Sequence, residues 1–320
     1  MKRLLSFRCW FALAAGLIVL TGCNRGEKSG QAPGASATGR KPTVALVVKT
    51  LNNPFFIEMQ RGAADEAAKL GLELIVQAAD REVDVERQMQ IIENLIERKV
   101  SVLCITPSGS REIVPVIVKA NKAGIPVLII DTRADEKALA DAGGKIATFI
   151  GSDNYDGGKL AGAFLAEKLG GKGNVVVLEG IPGHETGDAR LQGFKESISA
   201  FPGIRIVASQ PANWERDQGF NVFQNILQAH PEVNALFACS DLMALGAAEA
   251  IAAAGKTGKI MVVGFDAQPE ARQAIAKGTM VATVAQFPAK MGSIAIENAH
   301  RVLAGNSIPA FTPVPIELIK

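Results

Sequence analysis

Short apolar segments rich in β-branched residues alternate with longer amphipathic segments from residue 41 to the end of the chain. In the amphipathic segments apolar residues recur at helical spacing, as at Val85, Met89, Ile92 and Ile96. Because strands that alternate with helices form parallel sheets covered on both faces, the pattern predicts an α/β fold. The predicted strands form two series, 44–48, 72–77, 101–105, 126–130 and 146–150, then 174–178, 204–208, 235–239, 260–263 and 281–285.

Two such series predict two similar lobes, each a doubly wound, Rossmann-like sheet. A last helix over 288–304 and a strand over 316–319 have no partners among themselves. We expect them to return to one lobe or to cross between both.

Composition excludes several classes of protein. The chain has 320 residues and a formal net charge of +2, and Lys2, Arg3 and Arg8 supply three of its positive charges, so the remainder carries −1. A body so near neutrality is not that of an electrostatic nucleic-acid binder. Four cysteines in a chain of this length do not make a disulfide scaffold.

The N-terminus has the features of an export signal. The basic start is followed by an apolar run over 10–20, which is too short to span a bilayer and is typical of a secretory signal. The sequence Leu20-Thr21-Gly22-Cys23 then resembles the bacterial lipobox. We expect a lipoprotein signal peptide over 1–22, lipidation of Cys23, and a flexible linker up to residue 40. A plain secretory signal with an incidental cysteine is the alternative.

Hydrogen-bonding side chains follow the predicted strands of both series, among them Asp131, Asp266 and Gln286, and Trp214 also lies at a strand end. Ligands of doubly wound folds bind beyond the carboxyl ends of the strands. Asp and Arg side chains each bond adjacent hydroxyl groups, and aromatic rings stack on the C–H face of a sugar. The pattern therefore indicates a polyhydroxylated ligand. Capping and turn roles are the alternative, notably for Asn53, which is placed to cap a helix.

Five segments together resemble the periplasmic sugar-binding proteins of ABC importers, in the ribose- and D-allose-binding branch. They are KTLNNPFF at 49–56, PANWER at 211–216, AGKTGK at 254–259, VVGFD at 262–266 and ATVAQ at 282–286. The resemblance extends over essentially all of 41–320, and Lys49 and Trp214 look more like the allose-binding type than the ribose-binding type.

The resemblance implies a type I periplasmic binding protein fold with a three-strand hinge that crosses near Ser152, Gln286 and Pro313. The N-terminal lobe would comprise 41–152 plus 287–313, and the C-terminal lobe 153–286 plus 314–320. The lobes would close on a monosaccharide or polyol and deliver it to a membrane permease, without a cofactor, a metal or catalysis. The implied ligand-binding residues are Lys49, Asn53, Phe55, Phe56, Asp131, Arg190, Trp214, Ser240, Asp266 and Gln286.

Departures from the family pattern leave the particular sugar open. Ser240 stands where the family usually has Asn, Thr106 stands where the ribose branch has Asn, and both are expected to shorten side chains in the pocket. His184 and Glu185 replace small residues and would read a further hydroxyl or lie in an exposed loop. Cys104 and Cys239, in separate apolar runs, are expected to be buried free thiols.

Three other functions can be weighed. A ligand-presenting sensory protein for a chemoreceptor or kinase fits the same fold. A lipid-anchored glycosidase would need paired carboxylates, which Asp131 and Asp266 would have to supply. A sugar-responsive transcription regulator would need a helix-turn-helix at the N-terminus, where this chain has a signal sequence instead.

Overall fold

Two sheets, each covered by helices, make up residues 41–320, the part of the chain that the computed structural model describes. The predicted signal peptide, Cys23 and the linker lie outside the described residues. The strands are β1 (Thr43–Thr50), β2 (Glu73–Ala79), β3 (Val102–Ile105), β4 (Val127–Ile130), β5 (Thr148–Gly151), β6 (Lys172–Glu179), β7 (Gly203–Pro211), β8 (Ala235–Ala238), β9 (Met261–Asp266), β10 (Ala282–Ala285), β11 (Phe311–Pro313) and β12 (Glu317–Ile319). The helices are α1 (Pro54–Leu70), α2 (Val85–Glu97), α3 (Val114–Lys122), α4 (Glu136–Asp141), α5 (Asn154–Lys168), α6 (Glu185–Ser199), α7 (Arg216–Ala229), α8 (Asp241–Ala253), α9 (Pro269–Ala276) and α10 (Pro288–Leu303).

The two sheets have the same strand order. The first has the order β11-β5-β4-β3-β1-β2, and its neighbouring strands are parallel. The second has the order β12-β10-β9-β8-β6-β7, and only β12 runs antiparallel to its neighbour. The predicted fold class, two doubly wound α/β lobes, is therefore confirmed.

The chain passes between the sheets at three places. It leaves the first sheet after Gly151, leaves the second after Ala285, and crosses again between Pro313 and Glu317. After the second crossing, α10 packs on α1 and on β3, β4 and β5. These passages bring the carboxyl ends of the parallel strands of both sheets toward one cleft.

Strand β11 was not predicted. It has three residues, ends in Pro313, and pairs only with β5 at the edge of the first sheet. Proline is tolerated in such an edge position because one side of the strand needs no donor. A segment so short and so exposed lacks the run of buried apolar residues by which the other strands were found.

The sides of the first sheet are buried by different helices. Along β1, Ala45 and Val47 pack with residues of α2 and α3, whereas Val44, Leu46 and Val48 pack with α1 and α10. This alternation follows from the two-residue period of a strand. In the second lobe one continuous core includes the stacked rings of Phe194 and Phe237, whose centroids are 4.6 Å apart.

Cys104 and Cys239 are buried free thiols, as expected, and burial raises the pKa of each to about 12. Within residues 41–320, we find no helix with the length and apolarity needed to cross a membrane.

Candidate functional site

All ten predicted site residues line one cavity between the two lobes. The first lobe contributes Lys49 near the end of β1, three residues at the start of α1, and Asp131 after β4. The second lobe contributes the other five. Glu82 and Thr186 also line the cavity and were not predicted. The structure therefore brings the predicted set together, while the binding role of each residue remains a prediction.

Lys49 is the positively charged residue on the first lobe's side of the cavity. Its Nζ lies 3.8 Å from Glu82 Oε2 and 4.0 Å from Asp131 Oδ2, and all three side chains are nearly fully buried. The same ammonium group lies 5.8 Å from the ring centre of Phe56, which meets Phe55 edge-on. A buried cation thus stands between two carboxylates, beside aromatic rings that line the same cavity.

Asn53 joins helix α1 to the site. Its Oδ1 accepts a hydrogen bond from the backbone N–H of Phe55 at 3.0 Å, which caps the helix, and Pro54 occupies the first turn. Its Nδ2 donates to Glu82 Oε1 at 2.9 Å. Asn53 therefore has both the capping role and a place in the cavity, so the two predicted roles do not exclude each other.

Burial raises the pKa of Glu82 because it penalises the charged carboxylate, although Lys49 and the bond from Asn53 act in the opposite direction.

Arg190, on α6, is the positively charged residue on the second lobe's side of the cavity. Its Nε donates to Asn154 Oδ1 at 2.8 Å and its Nη1 donates to the carbonyl oxygen of Cys239 at 2.6 Å. Its guanidinium lies 3.9 Å from the ring centre of Phe265, and Nη1 is 3.7 Å from Asp266 Oδ1. Packing and two hydrogen bonds thus fix the direction in which this arginine faces the cavity.

Asp266 ends β9 in an uncommon backbone conformation, with φ of 113°, and Ala267 follows with φ of 54°. Such values cost of order 1–3 kcal/mol each and persist only where the surrounding structure holds them. Gln286 Nε2 donates to Asp266 Oδ1 at 2.7 Å. Burial raises the pKa of Asp266 to about 7, although Arg190 and Gln286 lower it. Gln286 Oε1 is buried without a hydrogen-bond partner among residues 41–320, so a ligand donor would satisfy it.

Trp214 has a backbone φ of 67°, and its ring is closely packed by its neighbours. Gly180 and Gly187 leave the space for its indole ring: a Cβ added at Gly187 would lie 3.0 Å from ring carbons, and one at Gly180 would overlap the ring. The indole Nε1–H points to His184 Nδ1 at 3.5 Å. The ring therefore presents a fixed aromatic surface to the cavity.

Of the residues that depart from the family pattern, Ser240 lies in the cavity wall and Thr106 does not. Ser240 lines the cavity and caps α8 through a 3.5 Å bond from the backbone of Met243. Thr106 does not line it, because its hydroxyl packs against Met59 Sδ at 3.5 Å, so the expectation that Thr106 shortens a pocket side chain was wrong.

His184 and Glu185 are also placed outside the lining of the cavity. His184 is buried beside Trp214, and burial, assisted by the charge of Lys49, lowers its pKa to about 3. Burial raises the pKa of Glu185. Neither residue is an exposed loop residue, since His184 is buried and Glu185 begins α6 in a half-buried position.

Contacts between the lobes close the cleft around the cavity. Gln268 Nε2 donates to Asn53 Oδ1 at 3.0 Å, and Arg81 Nη2 lies 3.2 Å from Glu215 Oε1. The backbone N–H of Glu185 also donates to Ser110 Oγ at 3.4 Å. The structure is therefore that of closed lobes.

The chemistry of the cavity is that of a polar ligand with many hydroxyl groups. Two cations, three carboxylates, amides and hydroxyls face it, together with three aromatic rings. Among the described residues, no group of three or more His, Cys, Asp and Glu side chains is arranged to hold a metal ion.

Comparisons with known proteins agree with this chemistry. The family model described as "Periplasmic binding protein domain" matches residues 44–307. The chain is 40% identical over 279 residues to the ribose import binding protein of Escherichia coli (strain K12), covering 87% of this chain and 90% of that protein. It is 37% identical over 282 residues to the D-allose-binding periplasmic protein of the same strain, covering 86% and 91%.

Solved structures give the same result. An ABC transporter periplasmic solute-binding protein from Actinobacillus succinogenes 130z, with bound D-allose, is 42% identical with a TM-score of 0.84, and the match covers 88% of this chain and 98% of that one. The similarity spans both lobes. The chain therefore belongs to the periplasmic binding protein family, the non-enzymatic solute-binding proteins of ABC transporters.

Proposed function

We propose that the protein binds one monosaccharide in this cavity, an aldose of the allose or ribose class, and delivers it to the permease of an ABC importer. The observation that carries the proposal is the spacing of the buried ion pairs. Lys49 lies 3.8 and 4.0 Å from its two carboxylates, and Arg190 lies 3.7 Å from Asp266. These separations exceed a charge-assisted hydrogen bond, which is about 2.7–2.9 Å. A sugar hydroxyl both donates and accepts, so it can bridge such a cation and carboxylate.

The aromatic residues would provide the apolar part of the site. Phe55 and Phe56 come from the first lobe and Trp214 from the second, so a sugar ring held between the lobes meets aromatic surface from both. Such surfaces match the C–H faces of a pyranose, while the charged groups match its rim. The names of relatives support this ligand class, since they include ribose and D-allose binding proteins.

The energy required is modest. Micromolar affinity corresponds to about −8 kcal/mol. Hydrogen bonds to charged groups contribute about 1.5–3 kcal/mol each, and the cavity offers five charged side chains. Several such bonds with aromatic contact supply that affinity after the ordering costs of binding.

Binding would proceed by hinge closure across the three passages between the sheets. The two halves of the site belong to different lobes, so a sugar completes its contacts only when the lobes meet. A ligand that binds the closed form better than the open one shifts the population toward closure. The permease would then recognise the closed form, and a chemoreceptor would be an additional partner of the same form.

We further propose that the exported protein is anchored to a membrane through lipidated Cys23, with the segment up to residue 40 as its tether. The lipobox-like sequence that ends at Cys23 supports this. Mass spectrometry of the membrane fraction would show acyl chains on Cys23, and their loss in Cys23→Ala would accompany release of the protein. An unmodified, fully released wild type would contradict the anchor.

Isothermal titration calorimetry tests the sugar proposal. The protein would be titrated with D-allose, D-ribose, D-psicose, D-galactose, xylitol and myo-inositol. We expect one aldose to bind most tightly, and binding to be lost in Asp131→Ala and Asp266→Ala. Asp65→Ala, at an exposed position of α1, is the matched control and should bind normally. No binding across the panel, or full affinity in both cavity variants, would contradict the proposal.

A further inference from the structure

A side chain outside the cavity lining joins the two lobes beside it. Gln268 immediately precedes α9 in the second lobe and is buried. Its Nε2 donates to Asn53 Oδ1 of the first lobe at 3.0 Å, yet Gln268 is not among the residues that line the cavity. The bond therefore crosses the cleft without taking the place of a ligand contact.

The backbone of Gln268 is fixed to its own lobe. Asp241 Oδ2 accepts its N–H at 2.7 Å, and Asp241 Oδ1 accepts the hydroxyl of Thr283 at 2.7 Å. Thr283 Oγ1 in turn accepts the N–H of Ala267 at 3.2 Å. These bonds tie the segment 266–268, in which Asp266 and Ala267 have positive φ, to α8 and β10, so the backbone of Gln268 is held in a fixed position relative to Asp266.

Asn53 is equally fixed in the other lobe. Its side-chain oxygen accepts from the backbone N–H of Phe55 as well as from Gln268, and its Nδ2 donates to Glu82. An amide oxygen has two lone pairs, so both acceptor positions of Asn53 are used in the closed form. When the lobes separate, the position that Gln268 fills returns to water.

We propose that Gln268 is a positioning residue that stabilises the closed, ligand-bound form by linking Asn53 to the loop that carries Asp266. The inference rests on the proposed function, because it takes the closed form to be the sugar-bound one. The bond connects one predicted sugar contact to the segment of another, in opposite lobes. Its loss therefore lowers the closed population and speeds sugar release, while the contacts to the sugar stay in place.

The test uses Gln268→Met, which keeps the side-chain length and removes the donor. Gln273→Met, at an exposed position of α9, is the matched control. Dissociation constants come from calorimetry, rates from stopped-flow competition, and the closed fraction from electron–electron distances between spin labels at exposed Glu112 and Asp217. These positions lie in different lobes.

For Gln268→Met we expect the Kd to rise about two- to tenfold, the range that one neutral hydrogen bond carries. The rise should come from a faster dissociation rate with an unchanged association rate, because the open form keeps its sugar contacts. The closed fraction should fall, and the melting temperature of the sugar-free protein should match the wild type. The Gln273 variant should equal the wild type throughout.

Two results would overturn the inference. One is an unchanged dissociation rate and closed fraction in Gln268→Met. The other is a weaker affinity accompanied by a lower melting temperature but an unaltered closed fraction, which indicates a role in folding alone.

Failure of the proposed function is distinguishable, since the wild type would then bind no sugar in the panel. In that case the spin-label distance distributions of the sugar-free wild type and Gln268→Met test the inference. A smaller closed fraction in Gln268→Met supports the inference, whereas equal distributions, or no closed fraction in the wild type, overturn it.

Discussion

Removing the charge of Arg190 while keeping its length, as in Arg190→Met, should strongly destabilise the sugar-free protein. The guanidinium donates two hydrogen bonds, at 2.8 Å to Asn154 and 2.6 Å to the carbonyl of Cys239, and faces Asp266 at 3.7 Å. Both Arg190 and Asp266 are buried, and both belong to the second lobe together with Asn154 and Cys239, so these contacts do not depend on closure. Breaking a buried ion pair by removing one partner costs about 3–5 kcal/mol, because the other charge stays buried without compensation. We therefore expect a loss of about that size in the free energy of unfolding.

The loss should depend on pH with a definite sign. Burial raises the folded-state pKa of Asp266 from 3.8 to about 7, so its contribution to stability is fully present below 3.8 and is lost as the pH rises through about 7. Arg190 lowers that pKa, so its removal moves the pKa further up. The variant should consequently lose more stability at pH 8, where the wild-type carboxyl is charged, than at pH 5, where it is protonated.

Urea unfolding at pH 5 and pH 8 measures both effects. The double variant Arg190→Met with Asp266→Asn removes the unpaired carboxylate and should recover about 1–3 kcal/mol at pH 8. Arg205→Met, at an exposed position on β7, is the matched control and should stay within about 0.5 kcal/mol of the wild type. A loss in Arg190→Met no larger than in the control, or one that is greater at pH 5, would refute the reasoning.

Three shorter predictions concern the walls of the site. Glu82→Gln keeps an acceptor for Asn53 but removes the charge near Lys49, so sugar affinity by calorimetry should fall about tenfold, as for one charge-assisted bond; unchanged affinity would exclude Glu82 from the site. Gly180→Ala should displace the Trp214 ring and weaken sugar binding more than Gly187→Ala, whose Cβ would lie 3.0 Å from the ring; equal affinities would contradict this order. The folded-state pKa of His184 is lowered from 6.5 to about 3, so its contribution to stability is present above pH 6.5 and is lost as the pH falls toward 3. In His184→Gln the free energy of unfolding should therefore fall less steeply over that pH range than in the wild type. Parallel plots of unfolding free energy against pH for the two proteins would contradict this.

Periodicity alone was sufficient for most of the fold. Each interior strand is short, apolar and followed by an amphipathic helix. Because the sheets are buried on both faces, each such strand can be recognised in the sequence as a continuous apolar run. The short edge strand β11 has no such trace, since half-exposed Thr312 lies between exposed neighbours. Edge pairing is decided by the backbone and by the position of the last helix, neither of which a single sequence encodes locally.

The site was predictable to the extent that parallel strands place their carboxyl ends along one edge. Asp131 and Gln286 directly follow strands, Asp266 ends one, and all three meet at that edge. Glu82 also follows a strand, β2, and reading the segment Asp80-Arg81-Glu82 after it would have found this carboxylate.

Thr186 gave no comparable signal, and the position of Gln268 two residues after β9 indicates a place near the cleft but not its partner. Thr186 lies in the first turn of α6, and Gln268 reaches a partner in the other lobe. Such a contact depends on how the two lobes meet, which no local spacing determines.

The charges of the cavity explain why a sugar should shift the lobes toward closure. Lys49, Arg190 and their carboxylate partners are buried in the closed form, and an uncompensated buried charge costs several kcal/mol. At separations of 3.7–4.0 Å each pair is attracted but not directly hydrogen-bonded in the usual charge-assisted range. In the open form water reaches the side of these groups that faces the cleft, so closing over an empty site sacrifices that hydration without full replacement. In the proposed complex a hydroxyl between each cation and carboxylate would restore the missing bonds, and the free energy that it returns would be available only in the closed form. The same spacing that makes empty closure costly would therefore make liganded closure favourable, and this difference would allow a permease to distinguish a loaded protein from an empty one.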